Sequence, residues 1–275
     1  MIDERKEPNC VRHYPCTIWE EFISEVRKVR FVGLHIYRGQ RDPAWKLSSN
    51  WERWLDRLRG GNQNRNVREI FERGDYEPIR DSYLWRFKEH AIGLPGFVSE
   101  GLDENSWWAL GRHHGLTTPL LDWTQSPYVA AFFAFLDYAE ERAPGFRTGT
   151  HQTNVSYGPG KIAVWELVVA GGVEIRGEFE VFSSRVDRAH RQKAQQGLFT
   201  RLTHDVHLDI EAYLRARGIG HHLGKYEISG SEMAKALSDL NLMNINPATM
   251  FPDLDGAAAM ANLDETLLGL RQSAS

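Results

Sequence analysis

The sequence has little cysteine and no long apolar run, and both absences narrow the class of protein. Cys10 and Cys16 are the two cysteines among 275 residues, too few for a disulfide scaffold, so we expect both thiols to be inert. No apolar run approaches the ~18 residues that a membrane-spanning helix requires. Residues 1–8 lack the apolar stretch of a secretion signal. These absences predict a cytoplasmic protein with no membrane partner.

Several motifs for ligand binding and catalysis are also absent. The chain has no G-x-x-x-x-G-K-[ST] phosphate-binding motif, no G-x-G-x-x-G after a predicted strand and no G-x-S-x-G nucleophile elbow. The pairs His113-His114, His221-His222 and His204 with His207 lack the partners that would complete a tetrahedral site, so we expect no metal. The formal net charge of −4 gives no general attraction to nucleic acid, which would require a local basic patch.

Hydrophobic periodicity predicts a mixture of strands and helices. Alternation indicates a strand over residues 31–38, and apolar runs indicate further strands at 162–169, 181–182 and 198–203. Helical spacing and end signals predict helices within 17–26, 50–75 (with an internal loop), 76–92, 126–136, 208–217, 229–240 and from 255 onwards. Because no internal repeat or clear linker divides the chain, we predict one α+β domain with a mixed or antiparallel β core surrounded by helices.

The stretch from His113 to Thr124 is the most informative part of the chain. It contains two imidazoles, a carboxylate, three hydroxyls and an indole within twelve residues, and we interpret it as a loop. The apolar segment 128–136 follows and is interpreted as a buried helix, with Ser126 as its N-cap and Pro127 as its first residue. The positive end of that helix would point toward residues 122–124 and offer an anion site. A polar loop held by a buried helix predicts the wall of a functional site.

Arg38 ends an otherwise apolar face of the predicted strand and is followed by Gly39 and Gln40. A guanidinium at that position needs an anion or a group of acceptors. Two interpretations stay open. One is an internal ion pair, and the other is capture of phosphate, with Gly39 admitting the ligand to the backbone and Gln40 donating hydrogen bonds. Asp122 likewise either fixes a loop or acts in the site, and Trp123 belongs either to the core or to a stacking surface.

Two amides stand at a glycine turn, Gln195-Gln196-Gly197, before a predicted strand. They follow a basic run, Arg185, Arg188, Arg191 and Lys193, that is typical of a solvated face. Amides at such a turn can orient the hydroxyl groups of a ligand without adding charge.

Four segments in this order resemble the FRG-domain family, which is named for an aromatic-Arg-Gly tripeptide. They are Tyr37-Arg38-Gly39-Gln40, His113 to Thr124, Gln195 to Thr200 and Asn246 to Gly256. His114, Thr117 and Pro119 depart from the family pattern, which usually has Tyr, Pro and Arg there. The resemblance predicts an N-terminal helical segment at 1–29, an FRG-like catalytic or binding domain at 30–262 and a C-terminal tail at 263–275.

The resemblance also implies a relationship to ADP-ribosyltransferases, and with it their type of β core and NAD as the substrate. In those enzymes an aromatic-Arg-Gly strand end binds the diphosphate and ribose of NAD. Tyr37-Arg38-Gly39 is similar to that element, with Gln40 and Ser126 as further contacts. Asp122-Trp123-Thr124 corresponds to the motif that frames the nicotinamide ring. Gln196 stands where a third element, usually an acid, is expected.

The resemblance predicts transfer of ADP-ribose to a nucleic-acid base, in RNA or single-stranded DNA, or to another macromolecule. His113 or Asp122 would be the general base, and an imidazole is the better suited near neutral pH. Arginine-rich segments at 53–73 and 185–201 would supply a local basic track. Such a protein would be a bacterial toxin or phage-defence effector, restrained by an antitoxin or regulatory protein.

Two alternative functions stay open. One is a non-catalytic module that binds NAD, ADP-ribose or a nucleotide. The other is a metal-independent nuclease toxin that uses His113 and Asp122 on a phosphodiester.

Overall fold

The computed structural model describes nine parts of the chain, namely residues 9–28, 33–60, 76–95, 97, 99–142, 160–170, 178–183, 193–203 and 209–273. Several sequence predictions lie outside these parts: the second half of the 50–75 region, the loop predicted at 147–160 except for residue 160, the basic residues 185–191, and His204 and His207. Among the helices of the described parts, none combines the length and hydrophobicity needed to cross a bilayer.

In the described parts of the chain, seven strands form one mixed sheet. They are β1 (Arg12–Tyr14), β2 (Leu34–Gln40), β3 (Leu120–Thr124), β4 (Lys161–Val169), β5 (Phe179–Phe182), β6 (Gly197–Leu202) and β7 (Leu223–Ser229). Their order across the sheet is β1-β7-β4-β2-β3-β6-β5. The β1–β7 pair is parallel, and the other neighbours are antiparallel. The prediction of a mixed β core combined with helices is therefore confirmed.

Nine helices of the described parts surround this sheet. They are α1 (Trp19–Arg27), α2 (Asn50–Gly60), α3 (Glu77–Ile92), α4 (Glu104–His113), α5 (Pro127–Arg142), α6 (Ile210–Ala216), α7 (Met233–Leu242), α8 (Pro247–Met250) and α9 (Leu254–Ser273). Two 3-10 turns, Gly220–His222 and Gly230–Glu232, flank β7. Helix α9 continues through residue 263, where we expected a tail to begin.

Helix α5 packs at the centre of the larger core. Its N-terminus forms as predicted: the Ser126 hydroxyl accepts from the Val129 amide at 3.3 Å, and Pro127 takes the first helical position. Its apolar side chains share a core with α1, α7 and one face of the sheet. The opposite face of the sheet packs against α6. Burying a helix between a sheet and two further helices fixes it in place, so its exposed side chains have defined positions.

The segment 113–124 is not one loop, contrary to our expectation. Its first residue ends α4, and residues 120–124 form β3. The strand escaped detection because Leu120 and Trp123 are buried on opposite faces, so the apolar–polar alternation of a half-exposed strand is missing.

The sequence also predicts a capping box formed by Thr17 and Glu20 and an N-cap at Asp255, and the structure displaces both caps. Glu21 rather than Glu20 accepts from the backbone amides of Thr17, at 2.7 Å, and Ile18, at 3.3 Å. Asp253 rather than Asp255 accepts from the amide of residue 256, at 3.0 Å. Both caps lie one or two residues from the expected site, which is the usual error of reading helix ends from sequence.

A buried carboxylate links three strands of the sheet. The Glu166 side chain on β4 is 1% exposed and accepts hydrogen bonds from the hydroxyls of Tyr14, at 2.7 Å, and Tyr37, at 3.3 Å. Arg12 Nη2 donates to it at 3.1 Å, and His35 Nδ1 lies 2.8 Å away. Burial and the Glu166 charge raise the pKa of both tyrosines, so these hydroxyls stay protonated as donors. One carboxylate therefore connects β1, β2 and β4.

Replacing this carboxylate is expected to destabilise the fold strongly. Glu166→Ala leaves the Arg12 guanidinium and two tyrosine hydroxyls without their acceptor, and we expect the free energy of unfolding to fall by about 3–5 kcal/mol. Urea unfolding measures the loss. Glu227→Ala is the matched control on β7, since that carboxylate pairs with Lys161 at 3.4 Å near the surface, and it should cost about 1 kcal/mol or less. Equal losses in both variants would contradict the role assigned to Glu166.

Candidate functional site

The sheet opens between β2 and β3. These strands pair only through Tyr37 and Thr124, whereas β2 pairs with β4 from residue 34 to 40 and β3 pairs with β6 from 120 to 124. A cleft of about 270 Å³ occupies the opening. Its lining comes from β2, β3, α5 and the turn before β6: Tyr37, Arg38, Gly39, Asp122, Trp123, Thr124, Ala130, Phe133, Asp137 and Gln195.

Arg38 crosses this opening. Its Nη1 donates to the Asp122 carbonyl oxygen at 2.8 Å and lies 3.8 Å from Asp122 Oδ2. Its Nε is buried and makes no hydrogen bond with any residue that the structure describes. Burial lowers the pKa of the Arg38 guanidinium to about 10, with Arg112 and Arg53 lowering it further against the opposing effect of Asp122. The guanidinium stays charged at neutral pH in surroundings that disfavour a cation, and a bound anion would relieve that cost.

The Asp122 carboxylate is held by a second arginine. Arg112 Nε donates to Asp122 Oδ1 at 2.7 Å, and Arg112 Nη2 donates to Oδ2. Such a two-point arrangement is the strongest pairing between these side chains. The Asp122 side chain nevertheless remains 44% exposed, so the pair faces the open side of the cleft. Asp122 therefore fixes local structure and also borders the cleft. The two interpretations of Asp122, a structural residue or a residue of the site, are compatible with each other.

Arg53, on α2, adds a third guanidinium to this region. Its Nη1 donates to the Ser48 carbonyl at 2.7 Å, and its Nη2 to the side chain of Asn50. Burial lowers the pKa of Arg53, and the nearby charge of Arg112 lowers it further. The lowered pKa values of Arg38 and Arg53 share this cause, so the positive charges of the three arginines act on one another.

Gly39 is required by helix packing. A Cβ at this position would lie 1.9 Å from the Ala130 carbonyl oxygen of α5, a distance that no side chain can tolerate. We expected Gly39 to admit a ligand to the backbone. In the structure, the missing side chain instead allows α5 to pack closely against β2, and α5 forms one wall of the cleft.

Gln40 is part of the fold and does not line the cleft. Its side chain is buried, with Nε2 donating to the Lys46 carbonyl at 3.1 Å and Oε1 accepting from Trp165 Nε1 at 2.9 Å. Both ends of the amide are thus occupied, which leaves no support for Gln40 as a phosphate contact. Tyr37 lines the cleft while its hydroxyl donates to Glu166.

Trp123, Thr124 and Ser126 join the strands and the helix around the cleft. Trp123 is buried in the core, where its indole donates to the Thr200 hydroxyl at 2.9 Å. Thr124 Oγ1 donates to the Gln195 carbonyl at 2.6 Å and accepts from the Ser126 amide at 3.1 Å. Trp123 therefore belongs to the core and also lines the cleft, whereas Ser126 caps α5 without lining it.

Two predicted catalytic residues lie outside the cleft. Gln196 is exposed and adopts a left-handed backbone with φ of 49°, so the preceding Gln195 lines the cleft in its place. Gln195 Nε2 donates to the Met250 carbonyl at 3.0 Å. His113 is exposed at the end of α4, with its ring 5.0 Å from the ring of His114. The structure therefore brings together Tyr37, Arg38, Gly39, Asp122, Trp123 and Thr124, and leaves His113, Gln196, Gln40 and Ser126 outside the lining.

Sequence reasoning missed the contribution of α5 to the cleft. Ala130, Phe133 and Asp137 line it at positions i, i+3 and i+7, which lie on one helix face. That spacing is present in the sequence, but the apolar run through Leu136 predicted a helix buried on all sides. Arg112 was missed as well, and Arg53 was predicted only as part of the basic track at 53–73. Each stands in a helix beside the cleft, and its role depends on tertiary contacts that no local pattern displays.

Metal ligands are not grouped in the described parts of the chain, where no three His, Cys, Asp or Glu side chains stand close enough to hold an ion.

A family model matches the part of the chain that contains most of the cleft. Residues 34–143 match the family model described as the FRG domain. That range begins with β2 and ends just after α5, so it includes each wall of the cleft except the turn that carries Gln195. Neither the curated proteins nor the solved structures contain a match to this chain. The match covers residues 34–143, and all residues that line the cleft between β2 and β3 lie within it except Gln195.

Proposed function

We propose that the chain is an NAD-dependent ADP-ribosyltransferase that binds NAD in the cleft between β2 and β3. The observation that carries the proposal is the Arg38 guanidinium, which lies across the open sheet with a buried Nε that has no acceptor among the described residues. A buried donor on a cation that has no acceptor can bind an anion without losing an existing hydrogen bond. The diphosphate of a dinucleotide has the charge and the acceptor geometry that a guanidinium prefers.

The size and lining of the cleft suit one end of a dinucleotide rather than the whole molecule. Sites for small ligands usually enclose roughly 300–1,000 Å³, and the cleft offers about 270 Å³. We therefore place the nicotinamide ribose in the cleft and the adenosine outside it, with the diphosphate at Arg38. Phe133 provides an aromatic surface next to the cleft, and its own ring is held edge-to-face against Phe251 at 5.9 Å.

The proposed reaction exchanges one bond at the nicotinamide ribose. The bond from C1′ to the nicotinamide nitrogen breaks, and its electron pair neutralises the pyridinium ring. A bond forms between C1′ and a nitrogen or oxygen of the acceptor, whose proton is released. Arg38 holds the diphosphate still while positive charge develops on the ribose, so its contribution is positioning and electrostatics. The opening of the sheet beside an aromatic-Arg-Gly strand end supports the ADP-ribosyltransferase type of fold as part of this proposal.

A nucleic-acid base is our proposed acceptor, presented by RNA or single-stranded DNA. Trp45 is 42% exposed, and the Arg41 guanidinium lies 4.6 Å from its ring. Exposed aromatic side chains with arginine beside them are common platforms for unpaired bases. A role as a cytoplasmic toxin or phage-defence effector, with an antitoxin or regulatory partner, rests on the resemblance alone.

A non-catalytic nucleotide-binding module is the second candidate. The position of His113 favours it, because the imidazole offered as a general base is exposed and outside the cleft lining. The same position removes support from a nuclease, which would need His113 beside Asp122.

NAD labelled in its adenylate phosphate separates all three functions when incubated with protein, RNA and single-stranded DNA. Transferred label indicates the transferase, binding without turnover indicates the module, and nucleic acid cleaved without NAD indicates the nuclease.

Arg38→Ala is expected to abolish label transfer and to weaken NAD binding. Hydrogen bonds to charged groups contribute ~1.5–3 kcal/mol, so calorimetry should show a loss of affinity of roughly 10- to 100-fold. Arg38→Lys keeps the charge without the planar fork and should recover part of the binding. Arg215→Ala is the matched control, since Arg215 pairs with Glu211 at 2.9 Å on the surface of α6. Full affinity in Arg38→Ala would remove Arg38 from the NAD site.

His113→Ala is expected to leave label transfer almost unchanged. Because the side chain is exposed and away from the cleft lining, the substitution should change the rate by no more than about twofold, as for an ordinary surface position. Initial rates of transfer measure the effect, and Gln196→Ala should behave in the same way. A large loss of transfer in His113→Ala would show that the imidazole reaches the reacting atoms when substrate is bound.

A further inference from the structure

We infer that segment 246–256 positions two residues of the cleft, Gln195 and Phe133, and thereby sets the affinity of the cleft for the nicotinamide half of NAD. The inference rests on the proposed function and adds the element that shapes its site. The segment is the last of the four that resemble the FRG-domain family, and it lies outside the range that the family model matches. None of its residues is among those that line the cleft. Its effect on a ligand must therefore pass through the lining residues that it contacts.

The first contact fixes the side-chain amide of Gln195. Its Nε2 donates to the Met250 carbonyl oxygen at 3.0 Å, while the backbone carbonyl of Gln195 accepts from Thr124 Oγ1 at 2.6 Å. Because a carbonyl oxygen can only accept, the contact with Met250 determines which end of the amide is the nitrogen, and the other end is an acceptor. Gln195 lines the cleft. The ribose hydroxyls and the carboxamide N–H groups of the nicotinamide half are donors that suit such an acceptor.

The second contact fixes the ring of Phe133. The Phe251 ring meets it edge-to-face, with the ring centroids 5.9 Å apart and the ring planes at 81°. Phe133 lines the cleft and is only partly buried, so the core does not enclose its ring on all sides. Edge-to-face pairs are favourable beyond the area that they bury. Phe251 therefore holds the Phe133 ring in one orientation beside the cleft.

Both contacts come from one closely packed turn. Met250 ends α8, and Phe251 follows it directly. The helix begins at a capping box, in which Asn246 Oδ1 accepts from the Thr249 amide at 3.0 Å and Thr249 Oγ1 accepts from the Asn246 amide at 3.1 Å. The turn then approaches α9 so closely that a Cβ on Gly256 would lie 1.8 Å from the Phe251 carbonyl oxygen. A turn fixed at both ends holds its two contacts in place, so both lining residues are positioned together.

Phe251→Leu tests the inference, since it removes the ring that meets Phe133 and keeps an apolar side chain. We expect calorimetry to show NAD binding weakened by roughly 2- to 10-fold. ADP has the diphosphate but no nicotinamide half, so its affinity should stay at the native value. In a Phe133→Leu background, Phe251→Leu should cause no further loss of NAD affinity, because the residue through which it acts is already absent. A merely structural role would instead weaken NAD and ADP alike, in both backgrounds.

Two further variants complete the test. Gln195→Met keeps the length of the side chain and removes both of its hydrogen-bonding groups, so it should weaken NAD binding by roughly 2- to 10-fold and leave ADP binding unchanged. Phe135→Leu is the matched control for lost packing, since that ring is fully buried on α5 and outside the cleft lining. It should lower the free energy of unfolding and leave NAD affinity at the native value.

The outcomes separate this inference from the proposed function. Native NAD affinity in Phe251→Leu or Gln195→Met, with affinity lost in Arg38→Ala, would overturn the role of the segment and leave the NAD site in place. Equal losses of NAD and ADP affinity in Phe251→Leu would make the segment a structural element only, which also overturns the inference. Absence of NAD binding by the native chain would overturn the proposed function itself, and the inference with it.

Discussion

The bond from the Arg38 guanidinium to the Asp122 carbonyl is the interaction on which the rest of the site depends. Where β2 and β3 separate, the backbone hydrogen bonds of the sheet end, and this 2.8 Å contact spans the opening in their place. A side chain that bridges two strands keeps them at a distance that a continuous sheet would not allow. It also puts a positive charge in the lining of the cleft. One residue therefore both maintains the opening and gives it an affinity for anions.

The aromatic-Arg-Gly tripeptide can be explained by three different constraints. Tyr37 donates to Glu166, the buried carboxylate that holds β1, β2 and β4 together. Arg38, on the other face of the strand, spans the opening. Gly39 lies beneath α5, where any Cβ would collide with the Ala130 carbonyl. Because neighbouring residues of a strand face opposite sides, the three requirements fall on consecutive positions without competing. All three residues of the tripeptide therefore have structural roles, in addition to any contact that they make with a ligand.

The sequence was sufficient to predict features that depend on local patterns. Alternation along β2 and the cap of α5 at Ser126 are examples, since both follow from residues close together in the chain. The lining of the cleft was predicted less well, because it depends on contacts between distant elements. Gln195 faces the cleft because Gln196 adopts a left-handed backbone, which is uncommon for a residue other than glycine. The role of Arg112 beside the cleft could not be predicted either. It lies on α4, whose buried residues are consecutive, so the sequence shows no separate polar face on which Arg112 would stand out.

The three arginines contribute unequally to an anion site, and the reason lies in their existing partners. Arg112 already has both oxygens of Asp122, and Arg53 already donates to Ser48 and Asn50. A phosphate that binds either residue must replace acceptors that are in place, so the net gain is small. Arg38 has a carbonyl on one nitrogen and no described acceptor on its buried Nε, so a phosphate there adds a hydrogen bond without removing one. Affinity for an anion should therefore be concentrated on the residue that also holds the sheet open, while the other two arginines shape the potential around it.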